Sequence, residues 1–293
     1  MASIATFVSY SVMVNNYFYT DRAAAIADNI HVRLFEARTQ PIDAAWNTPD
    51  VQSTYWRLYL NAADGASLIL SDQTYPLRAG RLYFVPAGVH FSCSNTMTLE
   101  HFYIHFDLLQ MPLAAMTVLF SSPLELPAGS DVQIEASEIA QSLKAIHATD
   151  LRMHFRLKGL IYNSLARYLE GLTDEQTSAL ARLVTALAPL QPALDHIERD
   201  PAARLRNDDL AALCCMSEDH FIRRFRQSLG DTPANYIQQR RVTLAAQQLL
   251  FTDASIEAIA DSTGFGNRYY FTRVFTRRIG LSPAAYRGMS HGR

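Results

Sequence analysis

The sequence predicts a chain of two unlike parts: an antiparallel, β-rich N-terminal region of barrel or sandwich type with helices after it, and an all-α C-terminal third. Three observations carry this reading. Short β-type runs broken by turn residues fill residues 51–107, apolar residues recur at three- and four-residue steps from residue 134 onward, and the last third repeats itself at an offset of about 50 residues. A length of 293 residues fits about two domains. With 49% hydrophobic and 18% charged residues there is ample material for packed cores, which excludes a disordered, collagen-like or rod-like chain.

In the β-rich part the runs TYWRLYLN, ASLILS, YPLRAG, RLYFVPAG, VHFSC and HFYIHFDL alternate with turn signals such as ADG and DQT. That is the spacing of a small antiparallel barrel or sandwich. Strand alternation puts His101, Tyr103 and His105 on one face and Phe102, Ile104 and Phe106 on the other, so the first face suits a pocket for a hydroxylated small molecule. Trp56 alternates with Leu58 and Leu60 and offers either an indole to stack on a sugar ring or a core side chain. His90 joins the candidate effector residues, and His90, His101 and His105 together raise a metal-dependent enzyme as an alternative. The HxH-plus-Glu metal signature is missing, so the expectation is no metal, no cofactor and no catalysis. Residues 1–40, with Tyr10, Tyr17, Phe18 and Tyr19, read as an N-terminal arm ahead of the strands.

Beyond a Pro- and Ser-containing break at residues 121–130, Ile134, Ile139, Leu143 and Ile146, then Phe155, Leu157, Leu160, Ile161, Leu165 and Leu169, mark two amphipathic helices joined near residues 148–150. They either cover the open face of the β-region or pair with a second copy. The reading adopted is a homodimer through the 132–170 helices, with Ile161, Leu165 and Leu169 spare for the partner. The domain division is then 1–130 for arm and effector domain, 131–182 for a helical dimerisation or linker region, and 183–293 for the all-α domain.

A net charge of −2 speaks against nucleic acid when averaged over the chain. Split by position it reads differently: 12 basic against 17 acidic residues before Pro189, 14 against 11 from Leu190 onward, and 11 Arg against 6 acids with no Lys from Met216. Arginine presents a planar donor fork suited to phosphates and guanine edges, although composition alone fits a solvated face equally well. Cys93, Cys214 and Cys215 form neither a disulfide framework nor a zinc-ligand pattern, so a reducing cytoplasm is expected. No run approaches 18 apolar residues and residues 1–16 lack the pattern of a signal peptide, so neither membrane span nor leader is expected.

The repeat carries the argument furthest. Phe221, Arg223, Phe225, Gly230, Pro233 and Tyr236 recur as Phe271, Arg273, Phe275, Gly280, Pro283 and Tyr286, and Leu210-Ala211 aligns with Ile259-Ala260 after a one-residue adjustment. Each unit reads as a short helix, a tight turn and a second helix. Ser217 and Asn267 are the expected N-caps, and a Gly264-Phe265-Gly266 turn precedes the latter. With each phenylalanine pair one turn apart and facing a small core, Asp219, Ile222, Arg223 and Arg226 form one outward edge, and Arg268, Tyr269, Thr272 and Arg273 the other. Residues 234–250 read as a helix of about 25 Å, a rod able to hold two such edges near one DNA turn, about 34 Å, apart.

Through LAALCCMSEDHFIRRFRQSLGDTPANYI, RVTLAAQQLL and SIEAIADSTGFGNRYYFTRVFTRRIGLSPAAYR, residues 205–287 resemble the AraC/XylS family of transcriptional regulators. The resemblance implies a double helix-turn-helix domain binding double-stranded DNA, with base contacts from Asp219, Ile222, Arg223, Arg268, Tyr269, Thr272 and Arg273 and a phosphate contact from Arg226. YPLRAGRLYFVPAGVHF and HFYIHFDL resemble the cupin-like effector domain of that family over residues 54–108. Together these imply a ligand-responsive, sequence-specific regulator, an activator working with RNA polymerase, with a sugar as effector. An aromatic, acyl or protein effector is the alternative, and a metal-dependent cupin enzyme fused to a DNA-binding domain the more distant one.

Overall fold

The computed structural model describes residues 30–71, 73–109, 111, 119–127, 131–144 and 150–288. Tyr10, Tyr17, Phe18 and Tyr19 of the expected arm, and Ile146 of the first expected helix, lie outside the described residues. The strands are β1 (His31–Ile42), β2 (Thr48–Gln52), β3 (Trp56–Asn61), β4 (Ala66–Ile69), β5 (Thr74–Leu77), β6 (Leu82–Val85), β7 (His90–Asn95), β8 (Leu99–Leu109) and β9 (Leu124–Glu125). They form two antiparallel sheets, one in the order β1-β8-β3-β6-β9 and one in the order β2-β7-β4-β5. Among the described residues one isolated bridge, Asn61 with Ala79, links the sheets, so the expected β-barrel is a two-sheet sandwich that does not close.

Strand β1 corrects the sequence reading, which left residues 31–40 in the arm. It pairs with β8 along nearly its whole length, with a bulge between Leu34 and Glu36. The bulge reverses the alternation: Val32 and Leu34 face the helices before it, Ala37 and Thr39 after it. A strand whose apolar period breaks in the middle and whose outer positions carry His31, Arg33 and Arg38 does not announce itself by periodicity.

The larger sheet is buried on both faces, which is why all six residues of β3 are buried. One face packs on the smaller sheet through Tyr59, Tyr83, Val85 and Tyr103 against Leu68, Leu77 and Phe91. The other packs Trp56, Leu58, Phe84, Phe102, Ile104 and Phe106 against two helices, α1 (Asp131–Leu143) and α2 (Leu151–Glu170). The Tyr162 hydroxyl of α2 ties down the start of β1, accepting from the Val32 N–H at 3.0 Å and donating to the Ile30 carbonyl at 3.1 Å. Ile161 and Leu165, expected to be spare, are 0% and 7% exposed in this core, so covering the sheet consumes them. The exposed apolar side chains of α2 are instead Leu151, Phe155, Tyr162 and Leu169.

The remaining helices are α3 (Asp174–Leu187), α4 (Gln191–Arg199), α5 (Asn207–Leu213), α6 (Glu218–Leu229), α7 (Pro233–Phe251), α8 (Ile256–Ser262), α9 (Arg268–Ile279) and α10 (Pro283–Gly288). Helix α3 opens on a capping box of Thr173 and Gln176 and runs across residue 182; Leu180 and Leu183 pack on the sheet-helix core while Leu187 lies in the next one.

Helix α7, 19 residues and so about 28 Å long, is the spine of the molecule. Tyr236 and Ile237 enter the core of the first helical unit, and Val242, Ala245, Ala246 and Leu249 that of the second. Its C-terminal end meets the sandwich: the buried Gln247 amide donates to Asp107 at 2.8 Å and to the Thr54 carbonyl at 3.1 Å, and the Phe251 ring stacks on Phe35 at 4.4 Å. Phe35 is the bulge residue of β1. Arg240 of α7 makes a buried, two-point ion pair with Glu198 of α4 at 2.7 and 2.9 Å, and the Tyr236 hydroxyl donates to the other Glu198 oxygen. Glu198→Gln is expected to lower unfolding free energy by about 3–5 kcal/mol in urea titration, because Arg240 loses its counter-charge in the interior. Adding Arg240→Met should restore most of that loss.

Candidate nucleic-acid interface

The two helical units repeat one another in their caps, their turn hydrogen bonds and their ring pairs. In the first, α5 is joined through Cys214, Cys215 and Met216 to α6, whose N-cap Ser217 accepts from the His220 N–H. In the second, α8 is joined through Thr263, Gly264, Phe265 and Gly266 to α9, whose N-cap Asn267 accepts from the Tyr270 N–H at 2.8 Å. The Met216 N–H donates to the Ala211 carbonyl as Phe265 does to Ala260, at 3.0 and 2.9 Å. The Phe221–Phe225 and Phe271–Phe275 rings lie 5.5 and 5.4 Å apart, both inclined at 61°. The second helix of each unit, α6 and α9, ends at a left-handed glycine, Gly230 and Gly280.

The turns differ by one residue. Cys215, with φ +55°, occupies the place of Gly264, with φ +80°, and the second turn adds Gly266 at φ +70°. Gly264 has a second reason to be glycine: a Cβ there would stand 2.6 Å from the Ala202 carbonyl oxygen. That close approach is held by Arg241 of α7, whose guanidinium donates to the carbonyls of Pro201 at 2.6 Å, Ala203 at 2.8 Å and Gly264 at 2.8 Å. Burial lowers its pKa from the ordinary value. Gln238 adds a second clamp, donating to the Tyr270 hydroxyl at 3.1 Å and accepting from Arg278 at 3.0 Å. Sequence reasoning missed Arg241 and Gln238, since nothing in the spacing marks a helix-borne arginine as a bracket for backbone carbonyls.

The residues expected to contact DNA fall into two sets. On α6, Asp219, Arg223 and Arg226 are exposed, Ile222 is half-buried, and together with Gln227 they line one shallow concavity. Gln227 was not among the expected residues. On α9, Arg268, Tyr269 and Arg273 are exposed, Tyr269 to 88%, and Thr272 is half-buried. The Arg273 guanidinium lies 5.5 Å over the Tyr270 ring, which restrains it. The helices are unlike electrically: the first turn of α6 carries Glu218 and Asp219, whereas α9 carries no acid and has Arg268 at its positive N-terminal end. An N-terminus of the second kind is the better seat for a phosphate.

The expected effector residues are only partly brought together. His101, Tyr103 and His105 share the inner face of β8 with Tyr55 and Tyr59, with ring centroids 4.6–5.7 Å apart. His101, whose Nδ1 lies 2.7 Å from the Asn61 side-chain oxygen, is pushed down to about 3 by burial and by His105, so it is neutral. His105 Nδ1 lies 3.6 Å from Glu36, whose carboxyl is held below its usual range, chiefly by His105. Burial raises the Tyr103 phenol. Trp56 is on the opposite face, fully buried and edge-on to Phe84 and Phe120. His90 pairs with Asp50 on the smaller sheet. Among the described residues no three His, Cys, Asp or Glu are grouped to hold a metal ion, and no helix is long and apolar enough to cross a membrane.

Residues 210–289 match the family described as a helix-turn-helix domain, which is the class that the paired units define. The chain is 38% identical over 85 residues to the MmsAB operon regulatory protein of Pseudomonas aeruginosa, covering 29% of this chain and 28% of that protein. It is 30% identical over 167 residues to an AraC-like transcription regulator of Streptomyces antibioticus, covering 56% and 54%. Among solved structures, ToxT from Vibrio cholerae O395 bound to (E)-4-(8-methylnaphthalen-1-yl)but-3-enoic acid aligns at a TM-score of 0.50 and 13% identity, over 88% of this chain and 100% of that one. The C-terminal domain is a helix-turn-helix domain of the AraC type.

Gly264→Ala should destabilise the protein by about 2 kcal/mol or more in denaturant titration, since it meets both the left-handed strain and the Ala202 backbone. Gly266→Ala, with nothing within 4 Å of its Cβ, should cost only the strain, about 1 kcal/mol.

Proposed function

We propose that this chain is a ligand-responsive, sequence-specific transcription regulator in which α6 and α9 enter successive major grooves on one face of the duplex and the sandwich binds the effector. The observation that carries it is the duplication in space: two reading helices with matched caps, matched phenylalanine pairs and arginine-bearing outer faces, held by one rigid helix. A rod of about 28 Å between them suits half-sites about one turn apart. Arg223 and Arg273 are the candidates for bidentate contact with guanine, and Arg226 for phosphate. Activation, with contact to RNA polymerase, is the direction of control we adopt from the family resemblance.

The sugar effector expected from Trp56 loses its support, because that indole packs against the helices. The face of His101, Tyr103 and His105, with Tyr55 and Tyr59 beside it, favours an aromatic or acyl compound. Coupling to DNA requires an effector with different affinities for two arrangements of sandwich and α7, typically by about 1–3 kcal/mol. The contacts of Gln247 and Phe251 with the sandwich are where such a difference acts.

With operators selected from random duplexes, Arg273→Ala should weaken binding to the selected site by about 1–3 kcal/mol and relax preference at one base pair, whereas Arg226→Ala should weaken selected and random DNA alike. Equal losses on both DNAs for Arg273→Ala would remove it from base readout. For assembly, the exposed row of Leu151, Phe155, Tyr162 and Leu169 on α2 is the surface we assign to a second copy. Sedimentation equilibrium should give a dimer for the parent chain and a monomer for Phe155→Glu; a concentration-independent monomer in both rejects the assignment.

A further inference from the structure

We propose that Tyr270 positions Arg273 for base readout, so that a phenol fixed from α7 sets how strictly the second helical unit reads its base pair. The proposal rests on the reading above in which α9 enters a major groove, and it names a residue outside the set expected to contact DNA.

Tyr270 is fixed at three points. Its N–H donates to the Asn267 cap at 2.8 Å, its ring leans on Phe265 with centroids 6.0 Å apart, and its hydroxyl accepts from the Gln238 amide at 3.1 Å. The direction of that last bond is set by Arg278, which donates to the Gln238 side-chain oxygen from Nε at 3.1 Å and from an amino group at 3.0 Å. A guanidinium has donors alone, so the Gln238 oxygen must face it and the amino group must face the phenol. A ring held in this way belongs to the frame, although it is 38% exposed.

Arg273 follows one turn later on the same face of α9. Its guanidinium lies 5.5 Å from the centroid of the Tyr270 ring, within the range at which a ring face attracts a cation. An arginine that reaches a guanine edge from solvent gives up the freedom of a long side chain, whereas a stacked fork has given up part of it beforehand. A fork free to swing also settles on a neighbouring base or phosphate when the guanine is replaced. A stacked one cannot follow, so the restraint acts on discrimination as well as on affinity.

The first unit is built differently at this place. His220 stands where Tyr270 does, three residues after the equivalent cap, and among the described residues the ring–cation contacts include Arg273 but not Arg223. Arg223 shares a shallow concavity with Asp219, Ile222, Arg226 and Gln227 instead. The two units, alike in caps and cores, therefore differ in how the equivalent arginine is held, which makes the base pair read by Arg223 an internal control.

The test uses the full chain and an operator selected from random duplexes. The base pair at which Arg273→Ala flattens preference is the one read by Arg273, and the one flattened by Arg223→Ala is the control. For the parent, Tyr270→Leu and Tyr270→Phe, Kd is measured at one salt concentration on the selected duplex, on duplexes changed at each of these base pairs, and on random DNA. Tyr270→Leu should lower discrimination at the Arg273 base pair about three- to tenfold, the size of one lost ring–cation contact and one side chain newly ordered on binding. Discrimination at the Arg223 base pair should not change. Tyr270→Phe, which keeps the ring and loses the bond from Gln238, should fall between the parent and Tyr270→Leu. In the Arg273→Ala background Tyr270→Leu should lower discrimination no further, because the two side chains act as one unit. A uniform loss on all duplexes makes Tyr270 a phosphate contact or a support of the fold and overturns the proposal. So does unchanged discrimination, or losses by Tyr270→Leu and Arg273→Ala that simply add. If Tyr270→Leu does not fold, Tyr270→His, which gives the second unit the residue of the first, takes its place with the same expected outcome. If Arg273→Ala flattens preference at no base pair, base readout by Arg273 fails and the positioning role with it. If it flattens one and the Tyr270 variants leave it sharp, the readout stands and the positioning role alone fails.

Discussion

The guanidinium of Arg241 is the interaction on which the geometry of the reading domain depends. By donating to the Pro201 and Ala203 carbonyls of the segment that leads into α5 and to the Gly264 carbonyl in the turn between α8 and α9, it ties the second helical unit to the first. Backbone carbonyls buried without donors are costly, and one planar fork satisfies three of them at once. The approach is so close that only glycine fits at residue 264. The spacing of α6 and α9 is therefore a property of one helix-borne side chain and of the helix α7 between them.

The same helix joins the reader to the sandwich. Along α7 the apolar residues serve the two helical cores and the polar ones serve connections: Gln238 to α9, Arg240 to α4, Arg241 to the turns and Gln247 to the sandwich. From Arg240 to Phe251 no residue of this helix is exposed, because three bodies cover it there. Gln247 and Phe251 join the sandwich to the one helix that both helical units share.

Several features of this arrangement are visible in the chain of residues before folding. The caps Ser217 and Asn267, the Phe221/Phe225 and Phe271/Phe275 pairs and the outward edges of α6 and α9 follow from spacing alone, because helix periodicity and capping are local. The faces of β8 follow equally, from an alternation of two. Strand β1 does not, since its bulge inverts the alternation, and Ile161 and Leu165 were assigned to a partner because periodicity says that a stripe is apolar and not what covers it. Trp56 fails for the same reason: it keeps its place on the strand, but the side of the sheet that receives helices decides whether it meets ligand or core.

By itself the sequence determined the two-part organisation, the duplicated helical unit and the residues that each reading helix turns outward, all of which depend on contacts within a few residues or on self-similarity. Tertiary structure alone decided the open sandwich, the bracket of Arg241 and the counter-ion of Arg240. Those are matters of which distant groups share an interior. The charge of a buried arginine is written in the chain, while the group that answers it is chosen by packing, because a counter-ion can come from any residue that folding brings within reach.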